Sequence, residues 1–148
     1  MNDFTVTLTE DISLVVLNKA PGDVCFVSSV FELLGNAGVN ADMISQAPSQ
    51  GAAASLAFTV KDTGLPVCLK VIADLREAYP GISSAVSGGN VKVLIAAESM
   101  RNTPGAAAEV FRRLAVSGTD IRLITTAETE ISLLVAGAEK DKVVEALR

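Results

Sequence analysis

The chain carries the same local plan twice: a run of branched residues, a short polar stretch, Pro-Gly, then an amphipathic helix. The first copy reads ISLVVLNKAPG over residues 12–22 and leads into Val27, Val30, Phe31 and Leu34. The second reads VKVLIAAESMRNTPG over residues 91–105 and leads into Val110, Phe111 and Leu114. Each helix runs out at a glycine, Gly38 or Gly118, and gives way to another strand, VNADMIS or TDIRLIT. Superposed, the copies keep a separation of 80 positions: Phe31 on Phe111, Leu34 on Leu114, Gly38 on Gly118, Asn40 on Asp120, Met43 on Leu123 and Ile44 on Ile124. The copies differ in length in two places. The first is three residues longer between Pro-Gly and the helix phenylalanine, and its hairpin is QAPSQGAAAS where the second has TAETE. Insertions confined to loops, with the core register kept, mark a duplication.

Each copy reads β-α-β-β-α. Alternation and β-branched runs predict strands at Ser13–Leu17, Ala41–Gln46, Ser55–Val60, Ser83–Ser87, Lys92–Ala96, Ile121–Thr126 and Ile131–Val135. Helical spacing predicts helices at Val24–Asn36, Val67–Ala78, Pro104–Ser117 and Lys140–Leu147. Pro80-Gly81 ends the second helix, and Gly88-Gly89 hands over to the second copy. The second copy is one strand short. Phe4, Val6 and Leu8 alternate with Thr5 and Thr7, the pattern of a half-buried strand. Phe4–Leu8 then completes the second sheet, so that the first domain, residues 10–88, is inserted in a second made of 1–9 and 89–148. The alternative is a frayed N-terminal arm.

Composition narrows the function. Hydrophobic residues make up 49% of the chain but aromatics only 4%, so the core must be built from Val, Leu, Ile and Ala. A net charge of −5 with no basic cluster argues against a nucleic-acid partner, whose phosphates need a cationic face. No apolar run reaches membrane-spanning length, and the first residues carry no secretory signal pattern. Cys25 and Cys68 both fall in apolar helical patterns, which favours buried free thiols in a reducing, cytoplasmic compartment. There is no histidine, no cysteine pair with metal-ligand spacing and no P-loop, so neither a catalytic constellation nor a cofactor site is expected.

A helix N-terminus presents unpaired N–H groups and partial positive charge. Pro-Gly before it fixes the entry angle and removes the side chain that would block an approaching anion. Each Pro-Gly is thus a candidate cradle for a carboxylate or phosphate, with donors near Gly22, Asp23 and Val24 in the first copy and Gly105, Ala106 and Ala107 in the second. The competing reading is that Pro-Gly merely starts the helix. Arg101, beside the second turn, could pair with an anion, although exposed loop arginines are common. Glu109, Glu128, Glu130, Glu139 and Asp141 read as solvated surface.

The chain resembles the regulatory tandem of ACT domains in aspartokinases. The resemblance rests on Pro21-Gly22, the Phe31 helix, Val39–Ile44 with Gln46, the run Ser99–Phe111, and the run Asp120–Ser132. It implies an α/β fold (an α+β sandwich of ferredoxin-like topology) with two βαββαβ ACT domains, the first inserted in the second. The sheets would be antiparallel, with helices on one face. It also implies a non-catalytic module that binds an end-product amino acid, lysine or threonine, at interfaces between ACT domains and dimerises through them. By position, the backbone N–H groups of Gly22 and Val24 would hold the effector's carboxylate. Gln46, Asp120 and Ile121 would face it and help hold the amino group. Met100, Gly105 and Ala107 would form the related half-site.

The family's Asp-Lys-Pro-Gly loop reads Asn18-Lys19-Ala20-Pro21-Gly22 here, without the acidic residue. Asp23 or Asp42 would then substitute as partner for a lysine side chain. Ala107 and Ala127 stand where relatives often carry hydroxyls, and Asp120, superposed on Asn40, where the family has Asn. The kinase domain's Lys-Phe-Gly-Gly loop is not in this chain, which reads as a stand-alone product or an excised regulatory region, with an aspartokinase catalytic chain as possible partner. A tandem ACT scaffold without ligand, holding a partner protein, is the alternative. A small enzyme on the same topology is the weakest reading.

Overall fold

The computed structural model describes residues 4–48 and 53–148. Part of the longer first hairpin, residues 49–52, and the start of the N-terminal segment, residues 1–3, lie outside the described residues. In chain order the elements are β1 (Thr5–Pro21), α1 (Val24–Asn36), β2 (Ile44–Pro48), β3 (Ala53–Lys61), α2 (Leu65–Ala78), β4 (Ser83–Ala96), α3 (Ala106–Ser117), β5 (Ile121–Thr126), β6 (Glu130–Ala136) and α4 (Lys140–Ala146). Two compact units form, Ile12–Gly88 and Met1–Asp11 with Gly89–Arg148.

In the Ile12–Gly88 unit the strand order is β2-β3-β1-β4. β1 and β2 both pair antiparallel with β3, Ile12 opposite Lys61 and Ile44 opposite Phe58. Val15 and Leu17 of β1 and Leu56, Phe58 and Val60 of β3 point to one face, as alternation requires. Phe26, Val30 and Leu34 of α1 and Cys68, Val71, Ile72 and Leu75 of α2 cover that face. Both helices therefore lie on the same side, an α+β arrangement of ferredoxin-like order.

The other unit repeats the plan in the order β1-β4-β6-β5. Val91, Val93 and Ile95 of β4 and Ile131, Leu133 and Val135 of β6 form its floor. Val110 and Leu114 of α3 and Val143 and Leu147 at α4 pack on it, joined by Leu8 of β1 and by Phe4 just before that strand. The paired positions of the repeat share environments. Leu34 and Leu114 are each 1% exposed, while Ile44 and Ile124 are 48% and 44% exposed. Gly38 and Gly118 both adopt the left-handed conformation, at φ 78° and 70°, which closes α1 and α3.

Three expectations change. Phe4–Leu8 and Ser13–Leu17, read as separate strands, form the single strand β1. Ser83–Ser87 and Lys92–Ala96 likewise fuse into β4. Each long strand passes between units at a left-handed residue, Asp11 at φ 59° and Gly89 at φ 67°. A short polar side chain or none tolerates that twist without ending the strand. Gly137 sits against the second of these points, where an added Cβ would lie 2.6 Å from the Gly89 carbonyl oxygen. Finally, Cys25 is exposed and only Cys68 is buried. The run Val24-Cys25-Phe26-Val27 is apolar throughout, and it is Phe26 that turns inward, edge-on to Tyr79 with centroids 5.1 Å apart.

Candidate functional site

The two Pro-Gly turns open their helices differently. In the first, β1 ends at Pro21 and Asp23 takes an extended conformation as N-cap, its carboxylate accepting from the Phe26 N–H at 2.9 Å. The N–H groups of Gly22, Val24 and Cys25 meet no acceptor among the described residues. An anion reaching them would nonetheless meet the Asp23 carboxylate beside it. The sequence had a signal for this cap, since an aspartate three residues before Phe26 at a helix start is a common N-cap.

At the second turn, Gly105 itself is the N-cap, in the left-handed conformation at φ 87°, with no side chain capping α3. The Ala106 N–H turns back to the Thr103 carbonyl at 3.2 Å, and the Glu109 N–H bonds the Gly105 carbonyl at 3.0 Å. The Ala107 and Ala108 N–H groups meet no acceptor among the described residues. The nearest acid on α3, Glu109, is engaged by Arg112 and Arg113, whose hydrogen bonds hold its carboxyl below the usual range. The start of α3 is thus open and electropositive.

The groups before this turn are mostly committed. Arg101 is bound by the carboxylates of Glu98 and Glu128, which leaves it no uncompensated charge for an anion. Met100 packs against the core beneath α3. The Ser99 hydroxyl oxygen is buried without a hydrogen-bond partner among the described residues, a feature no motif announced.

The remaining candidates lie at other points of their units. Asn18 accepts from the Ser55 hydroxyl at 2.9 Å. Lys19 is exposed, at φ 55°, where the β1–β3 register shifts. Gln46 is exposed on β2, opposite Leu56. β2 runs parallel to β1 after α1 returns the chain, so Gln46 lies toward the Pro21-Gly22 end. Asn40 and Asp42 precede β2, at the far end of α1, whose 13 residues span about 20 Å. The Asp42 N–H bonds the Thr59 carbonyl at 2.9 Å. Likewise Asp120 and Ile121 lie past the C-terminal end of α3, away from Gly105 and Ala107. The Asp120 N–H donates to Glu139, whose carboxyl is held low first by Lys142 and then by that N–H. Glu139, read from sequence as plain surface, is thus a partner of a candidate residue. Gly22, Val24 and Gln46 all belong to the Ile12–Gly88 unit, where Gln46 stands level with Leu17 and is separated from β1 by β3, and Met100, Gly105 and Ala107 belong to the second unit. Among the described residues no His/Cys/Asp/Glu group could hold a metal ion, and no helix is long and apolar enough to cross a membrane.

Residues 93–148 match the ACT domain family. Along 96% of its length the chain is 29% identical to the aspartokinase of Bacillus sp. (strain MGA3), covering 34% of that protein. It is 33% identical over 109 residues to the Geobacillus stearothermophilus aspartokinase, covering 26% of it. The chain therefore spans about a third or less of the aspartokinases it matches. Its fold superposes on the ligand-free regulatory subunit of aspartate kinase from Thermus thermophilus with a TM-score of 0.86 and 26% identity, over 96% of this chain and 93% of that one. The Thermus flavus regulatory subunit gives the same TM-score and identity.

Proposed function

We propose that this chain, an ACT-domain protein resembling the regulatory subunit of aspartate kinase, is an amino-acid-sensing module made of two ACT domains, one inserted in the other. Its effector is an end-product amino acid of the lysine or threonine type. The observation that carries the reading is the uncapped start of α3, where Gly105 leaves the Ala107 and Ala108 N–H groups open to a carboxylate. The first turn has the opposite character: Asp23 places a carboxylate there, suited to an ammonium group. Because the candidates at the two ends of each unit are far apart, a complete site needs ends from different ACT domains. A second copy of the chain would supply them in a homodimer. The output is control of aspartokinase catalysis, a reading supported by the likeness to the regulatory subunit of aspartate kinase. Two unpaired thiols suit the reducing cytoplasm.

A thermal-shift and calorimetric screen of the common amino acids tests this. A binding effector at 100 times its Kd should add about 2.7 kcal/mol of stability. Gly105→Val should abolish the effect, because a β-branched residue disfavours the left-handed conformation and crowds the open N–H groups. The absence of any shift across the panel would sink the reading. The second reading, a ligand-free scaffold for a partner chain, is favoured by the Asp23 cap, and it predicts co-purification of a partner with no amino-acid response.

A further inference from the structure

We draw no further inference here: the strongest candidate, the exposed apolar side chains of Leu33 on α1 and of Val67 and Leu69 on α2 in the helical layer of the Ile12–Gly88 unit, carries none, because nothing in the structure shows what covers them.

Discussion

A thiol reacts according to how readily water reaches it and how well its site tolerates the thiolate. Cys68 is fully buried on the inner face of α2, and burial pushes its pKa up. Cys25 is exposed in the first turn of α1. A disulfide-exchange reagent should therefore titrate a single thiol in the native chain and both after denaturation, and Cys25→Ser should leave no fast native thiol. Two fast native thiols would contradict the packing of α2. This asymmetry was not legible in the sequence. The four residues from Val24 to Val27 are all apolar, so helical periodicity there has no polar positions to mark the outward face. What selects Phe26 is contact with Tyr79 from beyond α2, a residue more than fifty positions away. The site residues were legible only to the same degree. Glycine types and the repeat located both helix starts, but not that Asp23 turns its carboxylate back onto one of them.

At the scale of elements, the helices were legible because their ends carry their own chemistry. α1 spans the residues its periodicity predicts, and Gly38 and Gly118 stop α1 and α3 by adopting a conformation other residues resist. The strands were less legible, since Asp11 and Gly88-Gly89 look like breaks yet lie inside β1 and β4. The Asp23 cap gives a direct test of α1. Asp23→Ala should cost roughly 1 kcal/mol in urea unfolding. It should also raise the affinity of any anion for the α1 start, because the competing charge is gone; an unchanged midpoint would mean the cap contributes nothing. The contact before β5 tests through pH. Glu139 has a folded-state pKa lowered from 4.5 by Lys142 and the Asp120 N–H, so its contribution is present above that value. It is lost as pH falls through the lowered one. Glu139→Gln should be less stable than the parent near neutrality and converge with it as the pH falls below the lowered folded-state value. Thermal midpoints of both proteins across that range measure it, and a gap that stays constant with pH would assign the effect to something other than the charge.

At the scale of the whole molecule, the proposed homodimer must be built on surface that one copy leaves unsatisfied. Each unit ends in an edge strand, β2 in one and β5 in the other, and each edge carries an exposed isoleucine at the paired repeat position, Ile44 and Ile124. An edge offers a row of unpaired N–H and C=O groups to another chain, and charge along it is a common deterrent. The two edges differ in that respect. β5 reads IRLITT and carries Arg122, whereas β2 reads ISQAP with no charge at all. The β2 edge, with Ile44 and the exposed Leu33 of α1 in the same unit, is accordingly the stronger candidate for self-association. Sedimentation of the purified chain should give a dimer, with a thermal midpoint that rises with protein concentration, as mass action requires when association accompanies folding. Ile44→Lys should shift it to monomer without changing its circular dichroism. Ile124→Lys should leave it dimeric. If Ile124→Lys dissociates the dimer and Ile44→Lys does not, the paired edge is β5, and Arg122 is then part of the contact instead of a guard against it.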